Sequence, residues 1–147
     1  MSCGTVTLDL ARGMVLLIWN KALQIHQLPK GRRNIDEPML NAAVRETYEE
    51  TGNPQVTEGR PSTEFLGACL YPDPQSDTKA LKAVFYFVAT ADSTTIPASG
   101  TQEAHEKLDT TWCPIAEATT KLRFQGEIAA VLKAVEDVKK TGYTIGG

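Results

Sequence analysis

The span from Gly31 to Gly52 constrains this chain more than any other part of it. It reads G-R-R-N-I-D-E-P-M-L-N-A-A-V-R-E-T-Y-E-E-T-G. Asp36-Glu37-Pro38 starts a helix, with an acidic residue to cap it and proline tolerated in the first turn. Gly52 stops it, since glycine enters the left-handed conformation that closes a helix. The predicted helix covers about 38–51, and any fold must give it a sheet to pack on. Gly31, Glu37, Arg45, Glu46, Glu49, Glu50 and Gly52 are seven specified residues at set spacing. At ordinary residue usage such a match arises with a probability on the order of 10⁻⁸ per register, so coincidence is a poor explanation.

At about 100° per residue, Leu40, Ala43, Val44 and Thr47 fall on one face, expected to pack on the sheet. Glu46, Glu49 and Glu50 fall on another, within about 100° of arc. Carboxylates crowded in this way repel one another and raise each other's pKa. A hard divalent cation relieves the repulsion: Mg²⁺ takes oxygen ligands, keeps waters and pairs with substrate phosphates. Arg45 lies beside Glu49 and can reach back to Glu37, so it is expected to hold carboxylates in position. Gly31 permits backbone conformations that other residues resist, and its carbonyl can turn toward the metal.

Around this helix the chain alternates short extended runs with turns. Thr5 to Leu10, Met14 to Trp19, Leu23 to Leu28, Phe65 to Leu70, Leu81 to Ala89 and Thr110 to Ile115 read as strands. Arg12-Gly13 reads as a tight turn, Gly31 as a loop, Pro54 to Pro61 as a polar linker, and Tyr71 to Thr78 and Asp92 to Lys107 as loops. Ile115 to Thr120 reads as a helical turn. An amphipathic helix covers about 126–140, with Ile128, Val131, Leu132, Val135 and Val138 on one side and Lys139-Lys140 at its C-terminal end. Strands on both sides of one central helix, plus a terminal helix, predict an α/β fold with a mixed sheet covered by helices, in one domain over 1–147.

With a formal charge of -3 over 147 residues, the surface as a whole does not attract polyanions, which disfavours non-specific nucleic-acid binding. Any anion site must be a local basic patch. Cys3, Cys69 and Cys113 are far apart, lack zinc spacing and are odd in number, so they read as reduced buried thiols. No stretch reaches transmembrane length. The expected compartment is the cytoplasm; export stays open, because a strand begins close to Met1 and a leader could have been removed ahead of it.

The run from Gly31 to Gly52 resembles the signature of the Nudix hydrolases, G-x5-E-x7-R-E-U-x-E-E-x-G-U with U aliphatic. Every polar and glycine position matches, while Thr47 and Asn53 stand at the two U positions. Ser2-Cys3-Gly4 before a strand, and Trp112-Cys113-Pro114-Ile115 before Glu117-Ala118, extend the resemblance over most of the chain. It implies the Nudix α/β/α sandwich and hydrolysis of a diphosphate linked to another moiety, with Mg²⁺ or Mn²⁺. It implies Glu46, Glu49, Glu50 and the Gly31 carbonyl as metal ligands, supported by Glu37 and Arg45. The general base varies in the family; Glu50, Glu103 and Glu106 are the candidates here.

Leu28-Pro29-Lys30-Gly31-Arg32-Arg33 sets three cations beside the glycine, and Arg and Lys both suit phosphate. His26, Lys79, Lys82 and Arg123 are further candidates for binding phosphate. This lead-in, with Leu122-Arg123-Phe124 before the last helix, resembles the diphosphoinositol polyphosphate and diadenosine polyphosphate hydrolases of the family, those of fungi in particular. The expected partner is a small polyphosphorylated substrate, with no nucleic acid and no membrane. The alternatives are an ADP-ribose or other nucleoside-diphosphate hydrolase, and a binding module of the same fold without catalysis. A nucleoside would call for a stacking ring from Trp19, Tyr71, Phe85 or Tyr86, while Phe85 and Phe87 are expected in the core.

Overall fold

Alternating small, β-branched and apolar residues after Met1 build the central strand, β1 (Ser2–Asp9), all eight residues of which are buried. The computed structural model describes residues 1–53, 65–72, 81–101 and 108–147, with 65–72, 81 and 82 described through their backbone alone. After β1 come β2 (Met14–Asn20), β3 (Ile25–Gln27), β4 (Lys30–Arg32), α1 (Met39–Thr51), β5 (Phe65–Pro72) and β6 (Leu81–Thr90). They are followed by β7 (Leu108–Pro114), α2 (Ile115–Lys121) and α3 (Gln125–Lys140).

The sheet is mixed. β1 runs parallel to β6, from Ser2 opposite Val84 to Leu8 opposite Thr90, and β6 runs antiparallel to β5. On its other edge β1 changes partner: Leu8 and Asp9 pair with β2, whereas Ser2, Cys3 and Gly4 pair with Arg32, Gly31 and Lys30 of β4. The departing β2 pairs with β3 and β7. Gly31 therefore lies in a strand at the fork of the sheet, not in the predicted loop. Three residues are too few to show an alternating pattern, so only the distant pairing to β1 reveals the strand. β1 likewise begins at Ser2 rather than Thr5, and Tyr71 lies in β5 rather than in a loop.

The period-2 alternation of β1 and β6 separates two layers. Val6, Leu8, Val84, Tyr86 and Val88 face α3 and pack with Ala130, Val131, Ala134 and Val138. Cys3 and Phe87 face α1, where they pack with Ala42 and Ala43, and Phe85 joins them half-buried. The result is the α/β/α sandwich expected from the sequence. Two helix faces differ from expectation. Ala42 replaces Val44 on the buried side of α1, and Leu132 of α3 is exposed. Both helices turn their small residues inward, which lets their backbones approach the sheet closely.

Gly52 caps α1 with φ 70°, as expected of its position. The start of α1 differs: Pro38 is the cap residue and no side chain caps it. Asp36 adopts φ 63° in the lead-in, and Glu37 is engaged by Arg45 instead. Among the described residues no helix is long and apolar enough to cross a membrane.

Thr47, where the signature has an aliphatic residue, is fully buried. Its hydroxyl lies 2.8 Å from that of Thr5, which is 2.7 Å from that of Thr7. It also donates to the Ala43 carbonyl. A polar residue is tolerated here because it is bonded to a polar residue across the interface. We expect Thr5→Val and Thr47→Val each to cost about 1 kcal/mol. The double variant should cost measurably less than their sum in denaturant unfolding, since each single change already removes the shared Thr5–Thr47 bond; strict additivity would show that the pair is not coupled.

Candidate active site

The site is assembled where α1 meets β4. Gly31 lies so close to α1 that a Cβ added there would overlap the Glu46 carboxyl. Its need for glycine is thus one of space, not of backbone angle. The neighbouring Lys30 N–H donates to Glu50 Oε1 at 2.9 Å, and Glu50 is buried. One turn of helix and one short strand are therefore locked through two glutamates.

Arg45 is the hub. Its Nε and Nη2 donate to the two oxygens of Glu37 at 2.8 and 2.9 Å, a bidentate pair. Its Nη1 donates to Glu46 Oε1 at 2.9 Å and reaches both Glu49 oxygens at 3.2 Å. Nη2 also donates to the Arg32 carbonyl at 3.0 Å, which ties the hub to β4. Asn34 N–H adds a further bond to Glu37. The Arg45 hydrogen bonds, only partly opposed by burial, hold the Glu37 carboxyl down to about 2. Arg45 is pushed the other way, chiefly by Glu37, so it keeps its charge throughout.

Three carboxylates, Glu37, Glu46 and Glu49, bond one guanidinium, so the cluster retains an excess of negative charge when all are ionised. Among the described residues no three His, Cys, Asp or Glu side chains converge on a common point; Glu46 and Glu49 turn to Arg45, and Glu50 turns to the Lys30 N–H. The donor chemistry nonetheless fits a hard divalent ion: carboxylate oxygens, one strand carbonyl and uncompensated charge. Arg45 thus supplies part of the compensation that sequence reasoning assigned to metal alone.

Lys30 and Arg33 are half-buried on and beside β4, and Arg32 is exposed. His26 packs its ring on Trp19 at 4.7 Å between centroids, and its backbone bridges to Leu122. Burial, then Lys121, lowers its pKa, so it is neutral at pH 7. Arg123 follows Leu122 and is exposed. Lys82 sits in β6 opposite Tyr71. Lys79, Glu103 and Glu106 lie outside the described residues. Tyr86 is fully buried and takes no part in the surface. At the C-terminal end of α1 a hollow of about 330 Å³ is lined by Thr51, Ala98, Ser99, Gly100, Thr101 and Thr110.

Glu127, in the first turn of α3, did not emerge from the sequence as a site residue. It is 1 % exposed and accepts a 2.6 Å hydrogen bond from Leu28 N–H. Burial pushes its pKa up to about 7 against the pull of that N–H and of Lys30. The signal was its place on the stripe of Val131, Ala134 and Val138, which marks an inward-facing acid.

The profile of the NUDIX domain matches residues 3–135. No curated protein matches by sequence. Among solved structures, the chain is similar to a Caenorhabditis elegans Ap4A hydrolase binary complex. The TM-score is 0.70 at 19 % identity, over 95 % of this chain and 99 % of that one. It is also similar to a NUDIX hydrolase from Nitrosomonas europaea, with a TM-score of 0.67 at 16 % identity over 98 % and 90 %. A third similarity is to the Escherichia coli dihydroneopterin triphosphate pyrophosphohydrolase, with a TM-score of 0.65 at 14 % identity over 92 % and 94 %.

Two measurements follow. Gly31→Ala should cost about 1–3 kcal/mol in thermal unfolding, since the new methyl must displace Glu46 or the strand; an unchanged Tm would show that the contact is soft. Glu127 binds its proton more tightly folded than unfolded, so its contribution is full below about pH 4.5 and is lost as pH rises through about 7. The stability of Glu127→Gln relative to the parent should therefore rise by up to roughly 2 kcal/mol between pH 5 and pH 8. A difference that stays flat across that range would place the acid in a wetter setting.

Proposed function

The chain belongs to the NUDIX family, and from that membership we propose that it hydrolyses phosphoanhydride bonds in small polyphosphorylated molecules, with Mg²⁺ or Mn²⁺. The observation that carries this reading is the Arg45 hub, which gathers Glu37, Glu46 and Glu49 beside Glu50 and Gly31. Glu46, Glu49, Glu50 and the Gly31 carbonyl would hold the ion, all as hard oxygen donors. Bound there, a divalent cation would neutralise the diphosphate and lower the pKa of a water. Glu37 and Arg45 keep the ligands in place. Glu50 is the described candidate for proton acceptor, and Glu103 and Glu106 are the others. The reading treats 1–147 as one catalytic domain.

For the substrate we favour inositol pyrophosphates. Lys30, Arg32 and Arg33 bring three cations to the strand that carries Gly31, in a chain of net negative charge. Lys79, Lys82 and Arg123 remain candidates to extend that patch, and His26, neutral at pH 7, to add a hydrogen-bond donor. The hollow at the C-terminal end of α1 is lined by the hydroxyl residues Thr51, Ser99, Thr101 and Thr110, with no aromatic ring among its described lining, which suits a polyol better than a base. Diadenosine polyphosphates are the second reading, supported by the similarity to the C. elegans Ap4A hydrolase and by the Trp19–His26 ring pair.

The test is metal-dependent phosphate release from an inositol pyrophosphate, diadenosine tetraphosphate and ADP-ribose, side by side with Glu50→Gln. We expect kcat/KM to rank in that order and the variant to lose about 10²–10⁴-fold in kcat. Preference for ADP-ribose would overturn the substrate, and undiminished turnover by Glu50→Gln would overturn the site.

A further inference from the structure

The four residues that lead into the site, Leu28 to Gly31, are held by groups from three separate elements. Glu127 of α3 accepts from the Leu28 N–H at 2.6 Å. The Pro29 carbonyl accepts from the Thr5 N–H of β1 at 3.2 Å. Glu50 of α1 accepts from the Lys30 N–H at 2.9 Å. Gly31 then pairs with Cys3. Proline has no N–H, so the two carboxylates occupy the successive N–H groups of Leu28 and Lys30. They come from helices on opposite faces of the sheet, because α3 packs with Val6 and Leu8 of β1 and α1 packs with Cys3.

A carboxylate is a costly choice for the Leu28 end. Burying an ion costs several kcal/mol even after relaxation, and a neutral amide or hydroxyl could accept one N–H. Among the described residues Glu127 forms no ion pair; Lys30 pulls on it through space. What Glu127 gives is a short bond of 2.6 Å from an acceptor fixed in the core by α3. That bond acts three residues before Gly31, on a segment whose depth against α1 is already limited by the contact between Gly31 and Glu46.

We infer that Glu127 is a positioning residue for the metal site: its carboxylate fixes Leu28, as Glu50 fixes Lys30, and so sets where the Gly31 carbonyl sits against the α1 carboxylates. The inference rests on the reading of Gly31 and Glu50 as metal ligands. It brings α3, which lies outside the signature segment, into the site. Outer partners of ligands change metal affinity by about 10–100-fold when lost.

The test compares the parent chain with Glu127→Met, which keeps the bulk and removes the acceptor, and with Glu127→Gln, which keeps an acceptor. Mn²⁺ binding by calorimetry and Tm without metal are the readouts. We expect Glu127→Met to bind Mn²⁺ about tenfold more weakly, with Tm without metal reporting separately what the loss of the Leu28 bond costs the fold. Glu127→Gln should recover most of the affinity. Equal Mn²⁺ affinity in the parent and Glu127→Met overturns the inference, whatever happens to Tm. Should Glu127→Met not fold, Glu127→Asp asks the same question by withdrawing the oxygen one carbon: weakened binding supports the role and parental binding overturns it. A parent chain that takes up no Mn²⁺ sinks the metal-site reading itself, an outcome distinct from failure of Glu127 alone.

Discussion

One guanidinium organises this protein's chemistry. Arg45 spends its donors on Glu37, Glu46, Glu49 and the Arg32 carbonyl, and each bond removes a way for the carboxylates to scatter. Acids at successive helix positions would otherwise turn outward into water, where repulsion is weakest. A lysine could not replace it, because one ammonium cannot grip Glu37 with two parallel bonds while reaching two further acids. The Arg32 carbonyl bond also makes the hub a joint between helix and strand, so charge balance and strand placement rest on the same side chain.

The helix that carries the acids is held by small residues. Ala42, Ala43 and Thr47 face the sheet, where they contribute little apolar area but permit close approach. A smooth, small-residue contact specifies the helix's position along its axis poorly, because few knobs enter few holes. The hydroxyl pair of Thr5 and Thr47 supplies what packing lacks. A slip of one residue along α1 would separate the two hydroxyls and leave both buried without each other. The hydroxyl at Thr47, where the signature has an aliphatic residue, is therefore matched by the hydroxyl of Thr5, and the register it sets is the one that brings Glu46 against Gly31.

Much of this was legible in the sequence. The spacing of Gly31, Glu37, Arg45 and the three later glutamates gave the helix, its end at Gly52 and the partnership of Arg45 with Glu37 and Glu49. What stayed hidden was long-range pairing. β4 is three residues long and exists because Ser2 to Gly4 lie beside it. Thr5 reads as an ordinary strand residue until Thr47 is set against it. Glu127 reads as an acid favourable to the helix dipole, and only its alignment with Val131, Ala134 and Val138 hints that it points inward. Amphipathic reasoning also leaned on the larger side chains, and so chose Val44 and Leu132 where the sheet takes Ala42, Ala130 and Ala134.

The two buried glutamates on the Leu28–Lys30 segment explain how a small fold holds a short strand firmly. A three-residue strand has too few ladder bonds to resist fraying, and its side chains, Lys30 and Arg32 among them, are drawn toward water. Carboxylates from α1 and α3 on successive N–H groups replace the ladder bonds that a longer strand would have. They do so from both faces of the sheet, so a displacement toward either helix stretches one of the two bonds. The cost of burying Glu127 is thus tied to holding Gly31 beside a cluster of like charges that, left to itself, would move apart.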